Sequence, residues 1–311
     1  MGIIAVAGGT GSVGRTIVDA LVARATHKVI ILSRTDRPPQ DGVSLQPVNY
    51  QDVDATARAL EAASIDTVIC AFGIDNQAVQ DTQLKLIKAA DRSACTRRFV
   101  VSSFDLLYKE EHVPLLPWAQ WALDTDRAIA QTGLHYTRIV SGPFLDYYGV
   151  PHWKSYLKPF VNAVNVGAKW AAIPGDGTTP VSFVTSQDMA RLVARLMDED
   201  GARWPRVAGI AGQTRSFGEI LAIAERVRGG KFSVVYNSLD RLRSGHISFP
   251  DFVETGLEEP DPSNEWIFAT FNYLSATGNY FVQTEETLDA RFPEVRITTA
   301  EEVIEESWGG R

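Results

Sequence analysis

The residues that could do chemistry start at the N-terminus. The apolar run Ile3-Ile4-Ala5-Val6-Ala7 ends in Gly8-Gly9-Thr10-Gly11-Ser12-Val13-Gly14, and Val13, Ile17, Val18, Ala20 and Leu21 then recur at helical spacing. Strand, glycine turn and helix in this order make a phosphate site. Gly9, Gly11 and Gly14 fit G-x-G-x-x-G, and Gly8, Gly11 and Gly14 fit G-x-x-G-x-x-G. Glycine takes positive φ and lets the backbone approach a pyrophosphate. The unpaired N–H groups that open the helix hold the phosphate oxygens. Gly8, Thr10, Gly11, Ser12, Val13 and Gly14 are therefore expected to contact a dinucleotide. The competing reading is a turn that only packs helix closely on strand.

The second apolar run, Lys28 to Leu32, decides which dinucleotide. It ends in Ser33-Arg34-Thr35-Asp36-Arg37. In a dinucleotide fold the end of the second strand faces the adenosine ribose. An acid there bonds the 2′-hydroxyl of NAD, and an arginine accommodates the 2′-phosphate of NADP. Arg34 and Arg37 offer planar donor forks matched to phosphate, so NADP is the expected cofactor. Asp36 keeps NAD open, and a solvated charged loop is the alternative.

The elements that must position these residues alternate. Val43 to Tyr50 reads as a third strand and Gln51 to Ala63 as a helix, with Asp52 or Asp54 to cap it. Asp66 to Gly73 is a buried strand, and a helix carries Gln83, Leu84, Ile87 and Ala90. Arg98 to Asp105 is a strand ending in the hydroxyls Ser102 and Ser103. A helix from about Trp118 to Thr132 leads to the strand His135 to Phe144. The alternation predicts an α/β Rossmann fold, a parallel doubly wound sheet with right-handed crossovers. Ligands then lie beyond the carboxyl ends of the strands, which adds Phe72, Gly73, Ser102 and Ser103 to the cofactor set.

The second half is less regular. Short strands are expected at Val181 to Val184, Val207 to Ala211 and Phe232 to Tyr236, and helices at Ser186 to Asp198, Ser216 to Arg228 and Thr299 to Ser307. Ser216 and Glu219 have capping-box spacing. Glu258 to Pro262 is a loop. The expected division is a dinucleotide-binding domain over 1–150, its sheet completed by parts of 181–215, and a smaller α/β substrate domain over 151–311.

Composition narrows the class. The 311 residues are 45% apolar and 22% charged, ordinary for a soluble enzyme. A net charge of −8 without a basic run argues against nucleic acid as a direct partner. Cys70 and Cys95 lack metal-ligand spacing, which suits a reduced, cytoplasmic protein without a metal; Cys70 lies within an apolar strand and belongs to the core. No apolar run reaches membrane-spanning length, and the N-terminus enters a strand directly rather than a signal segment. A monomer or homodimer is expected.

Taken in order, these motifs resemble the NmrA-like and isoflavone-reductase-like branch of the atypical short-chain dehydrogenase/reductases. The glycine turn, Arg34, Gln83, Arg98-Phe99-Val100-Val101-Ser102-Ser103-Phe104, Tyr136-Thr137 with Gly142 and Phe144, Gly175-Asp176-Gly177, Gln187-Asp188-Met189-Ala190 and Phe292-Pro293-Glu294-Val295 carry the likeness, which spans essentially the whole chain. It implies an NADP-binding Rossmann domain, with Gly142 and Phe144 near the cofactor, and a smaller substrate domain. It also implies reduction of an aromatic or other small secondary metabolite, or redox sensing without catalysis.

One departure matters. Reductases of this branch carry a lysine in K-x-x-x-R on the helix before the sixth strand, as acid, base or donor over the nicotinamide. Counting back from Gly133-Leu134-His135-Tyr136-Thr137 puts the lysine position at Ala122 and the arginine position at Asp126; a two-residue slip gives Asp124. No Tyr-x-x-x-Lys pair of the standard short-chain dehydrogenases exists elsewhere. Replacements should follow the fifth strand, Asp105 and Lys109, or the sixth, Tyr147, Tyr148 and His152. Tyr or His can protonate an alkoxide or carbanion, and His has the better-matched pKa. The plainer readings are pocket wall for the tyrosines, a surface histidine, and a solvated turn for Lys109 with Glu110 and Glu111. Tyr147, His152 and Lys109 are the expected catalytic set. The aromatic stretch Tyr147, Tyr148, His152, Trp153, Tyr156, Phe160 and Trp170 suits the lining of a flat apolar substrate site, reached from the ends of strands five and six.

The leading expectation is an NADPH-dependent reductase of a small hydrophobic, aromatic metabolite. The alternatives are a non-catalytic NADP-binding regulator of the NmrA type and a non-redox isomerase or cyclase on the same scaffold.

Overall fold

The continuous apolar runs become parallel strands buried on both faces, as such runs must. The computed structural model describes residues 2–35, 38–39, 42–161, 163–250, 264–284 and 286–311. In chain order the first part reads β1 (Ile3–Ala7), α1 (Ser12–Arg24), β2 (Lys28–Ser33), β3 (Ser44–Pro47), α2 (Val53–Ala62), β4 (Thr67–Cys70), α3 (Gln77–Arg92), β5 (Arg98–Asp105), α4 (Pro117–Ile129) and β6 (His135–Val140). The strand Val207–Gly209 joins them in a seven-stranded sheet, placed beside β6, with the order continuing β5, β4, β1, β2, β3. Every pairing in this sheet is parallel. The order reverses at β1, which has β2 on one side and β4 on the other. That reversal is the switch point where an open α/β sheet takes its ligand.

Helix starts follow local chemistry. The Asp52 carboxylate accepts from the Ala55 amide and caps α2. Both arms of the Ser216–Glu219 capping box form at the helix Phe217–Arg228, and Thr299 with Glu302 makes another at Ala300–Trp308. Cys70 is fully buried, in a core with Leu60, Val68, Leu86 and Phe99. Burial pushes its thiol up to about 12.

Several boundaries move from those expected. The third strand stops at Pro47 because Asn49 to Asp52 closes a turn. The sixth stops at Val140, before Gly142 turns to φ +66°. The helix before it ends at Ile129 rather than Thr132. The strand Trp170–Pro174 and the helices Leu239–Arg243 and Glu265–Ala276 were not foreseen. The expected loop at 258–262 lies outside the described residues.

The chain forms two units interleaved in sequence. The first holds Met1–Val140, Met189–Gly209 and Glu286–Val295. The second holds Ser141–Asp188, Ile210–Glu285 and Arg296–Arg311. In the second, Trp170–Pro174 pairs parallel with Ser233–Asn237 and antiparallel with Val164–Asn165, and Val181–Phe183 pairs antiparallel with Gln213–Arg215. No helix among the described residues is long and apolar enough to cross a membrane.

Candidate dinucleotide site

The turn after β1 requires glycine at two of its positions. Gly8 has φ +80°, and a Cβ there would lie 2.5 Å from the Ala71 carbonyl oxygen. A Cβ on Gly14 would lie 2.1 Å from the Gly8 carbonyl oxygen. Gly11 is different from expectation: it has φ −83° and stands at the N-cap, donating its amide to Gly8 at 2.9 Å. The positive φ therefore belongs to Gly8, and the geometry selects the Gly8–Gly11–Gly14 spelling. No side chain caps α1 and no acidic residue occupies its first turn. Its opening amides and dipole are left for an anion.

This turn forms one wall of a cavity of about 1070 Å³ in the first unit. Gly8, Thr10 and Gly11 line it from the turn, Arg34 from the end of β2, and Phe72 and Gly73 from beyond β4. The Arg34 side chain is exposed and makes no ion pair or hydrogen bond among the described residues. Arg37 and Asp36 lie outside the described residues. Ser12, Val13 and Gly14 open α1 and are not among the residues that line the cavity. Glycines that admit close approach, a helix start without a cap and an arginine unpaired among the described residues together fit a dinucleotide with a 2′-phosphate.

Tyr50 and Val48, which follow β3, also line the cavity. The Tyr50 hydroxyl donates to the Leu32 carbonyl at 3.2 Å, and its ring stands edge-on to Phe72 with centroids 5.4 Å apart. Burial pushes this hydroxyl far above the usual phenol range, so it stays a donor. Sequence reasoning missed both residues. The rule that selected Phe72 would have found them, because β3 ends at the same edge of the sheet.

The end of β5 is irregular. Its pairing with β6 shifts register between Val101 and Asp105, and Phe104 has φ +55°. The Ser102 hydroxyl donates to the Phe72 carbonyl at 2.6 Å, and the Ser102 amide donates to Gln83 Oε1 at 3.0 Å. Ser102 is therefore engaged by the chain, whereas Ser103 Oγ is buried without a hydrogen-bond partner among the described residues. Beyond the strand, the Tyr108 hydroxyl donates to Asp105 Oδ2 at 2.6 Å. Lys109 is exposed, with Glu111 at 3.7 Å.

On α4, Ala122 is half-buried and Asp126 pairs with the Arg138 guanidinium of β6. Burial raises the Asp126 pKa against the lowering pull of Arg138, and burial lowers that of Arg138. A buried charge pair thus stands where the family arginine was counted.

In the second unit, Tyr147 stands edge-on to Phe160 at 5.5 Å, and Phe160 stacks on Phe268 at 5.2 Å. Tyr148 is 1% exposed, with its ring 6.0 Å from Phe183, so it is core. His152 is exposed, its ring edge-on to Trp308 at 4.7 Å and its Nδ1 against Arg311. Gly142 takes φ +66°, and Phe144 bridges to Val184. Trp170 is core rather than lining, 1% exposed among Ala172, Leu242 and Ala269.

Known proteins resemble this chain in sequence and in fold. The chain is 29% identical to the oxidoreductase swnN of Metarhizium robertsii, over 99% of this chain and 98% of that one. It is 33% identical to the oxidoreductase BOA1 of Botryotinia fuckeliana, over 74% of this chain and 77% of that one. The solved structure described as AtPrR2 with NADP+ and (+)pinoresinol superposes with a TM-score of 0.74 at 21% identity, covering 97% of each chain. The NmrA-like family model matches residues 2–293, and the chain belongs to the NmrA-like family.

Proposed function

We propose that this chain is an NADPH-dependent reductase of a small hydrophobic, aromatic metabolite. The observation that carries the cofactor is Arg34, which makes no ion pair or hydrogen bond among the described residues and lines the same cavity as the glycine turn. When bound, the reduced nicotinamide supplies the hydride. The chain binds and orients the dinucleotide through the amides at the start of α1, the Arg34 fork and the Tyr50–Phe72 wall. The aromatic substrate is supported by the rings of Tyr147, Phe160 and Phe268 in the second unit, and by a structural relative described with NADP+ and pinoresinol. Tyr147 and His152 remain the proposed contacts there. Ala122 favours a second reading, an NADP-binding regulator, because it removes the family's lysine.

Calorimetric titration tests the cofactor. NADPH should bind more tightly than NADH. Arg34→Ala should weaken NADPH by roughly 1.5–3 kcal/mol, the range of a charge-assisted contact, and leave NADH unchanged. Equal affinities in the wild type would rule the assignment out. Consumption of NADPH over a panel of phenylpropanoids separates reductase from regulator.

A further inference from the structure

We propose that the Asp105 carboxylate, held by Tyr108, is the group this chain presents to the nicotinamide end of a bound dinucleotide. It takes the place left by the missing lysine. The inference rests on the nicotinamide reading above and adds a residue to it.

The topology comes first. A dinucleotide crosses an open α/β sheet at the switch point. With Arg34 on the β2 side for the adenosine ribose, the other half belongs to the side of β4 and β5. Neighbouring strands stand about 4.8 Å apart, so the end of β5 is one step beyond Phe72 and Gly73. The Ser102–Phe72 hydrogen bond ties these two strand ends together.

The end of β5 is also built for a ligand. An aromatic residue in the left-handed region, Phe104, persists only where its surroundings over-determine it, and such strain clusters at functional sites. Ser103 Oγ is buried there with its hydrogen-bonding capacity unspent. Asp105 is half-buried.

A chain of donors fixes this carboxylate. The Trp118 indole donates to the Tyr108 oxygen, and Tyr108 donates to Asp105. Trp118, Ala122 and Asp126 are successive i, i+4 positions on α4 and share one face. The first holds Tyr108, and the last takes the Arg138 charge. The lysine position lies between them and carries only a methyl group. The other charged groups of this connection are engaged elsewhere. Glu110 pairs with Arg127, and Lys109 with Glu111. The buried His112 ring lies 6.2 Å from that of Tyr108, and its Nδ1 accepts the Lys109 amide.

A carboxylate distinguishes the two forms of the cofactor. The oxidised ring is a cation and the reduced ring is neutral, so Asp105 should favour NADP+ by Coulomb attraction. Tyr108 is a positioning residue, because it supplies alignment and no charge.

Calorimetric titration of the full chain with NADP+ and with NADPH reads this directly. In Asp105→Asn the ratio of the NADPH to the NADP+ dissociation constant should fall about tenfold, chiefly through weaker NADP+ binding. In Tyr108→Phe it should fall by about threefold, a change that a purely structural role would not produce because both forms would weaken alike. Asp105→Ser serves as a second variant, and thermal unfolding confirms that each is folded. An unchanged ratio in a folded Asp105 variant overturns the inference while the cofactor reading stands. Failure of the wild type to bind either form overturns both.

Discussion

The side-chain oxygen of Gln83 accepts the backbone amide of Ser102 at 3.0 Å, at the point where β5 leaves register with β6. A backbone N–H that loses its ladder partner inside a protein must find another acceptor. Gln83 is 2% exposed, and its Nε2 donates to Thr125 Oγ1 at 3.2 Å. Gln80 donates to the same hydroxyl at 3.0 Å and to the Trp121 carbonyl at 3.0 Å. Two helices thus combine to close a gap in the sheet beside the candidate site.

Gln83→Leu keeps the bulk and removes the acceptor. It should lower stability by about 1–3 kcal/mol, the cost of a buried polar group left unpaired. Urea unfolding measures this. An unchanged midpoint would mean that β5 relaxes and finds another acceptor.

The glycines of the turn should not respond equally. Gly14→Ala drives a methyl group into the Gly8 carbonyl, so soluble protein and NADPH binding should both be lost. Gly11→Ala meets that carbonyl only at 3.2 Å and needs no unusual φ, so it should fold. Gly11→Val should fold and lose NADPH, because its branches fill the space left for phosphate. Expression yield and calorimetry together check the order, and a folded, NADPH-binding Gly14→Ala would contradict it.

Asp126→Ala leaves the Arg138 guanidinium, 4% exposed, without its counter-charge. The expected loss is about 3 kcal/mol, the low end for a broken buried pair, since Asp126 itself is partly exposed. Arg138→Met together with Asp126→Ala should recover most of it, because the unpaired charge is then gone. A denaturant series on the two singles and the double gives the coupling, and simple additivity would remove the pair from the account.

Asp146 gives a pH signature. It is fully buried, and accepts from the Ser155 and Ser186 hydroxyls at 2.6 Å each and from the Ser186 amide at 2.7 Å. Burial raises its pKa despite these donors. Its neutral form is therefore favoured by the fold. Its contribution is fully present below the unfolded carboxylate value of about 3.9 and is lost as pH rises through the raised folded value. Asn cannot ionise, so Asp146→Asn should cost less stability at neutral pH than at pH near 4. Thermal unfolding across that window checks the sign, and a cost that grows with pH would reverse it.

Periodicity and punctuation carried much of this protein. The apolar run Ile3 to Ala7, the glycine cluster and the strand-end Arg34 announce themselves because strand, turn and helix start are governed by neighbouring residues. The same local physics made Asp52 and Ser216 legible as caps. Tyr50 was less visible, since its place in the cavity depends on β3 lying beside β2.

What the chain alone determined was the order of its elements, the position of the glycine turn and the absence of a lysine at Ala122. The tertiary structure decided which glycine takes the positive φ, and that Asp126 answers Arg138. It also decided that the Ser102 hydroxyl is engaged while Ser103 Oγ has no partner among the described residues, and that Tyr108 holds Asp105. The physical reason is separation in sequence. Propensity and spacing act over a few residues, whereas these partners meet only after parallel strands and their crossover helices have packed.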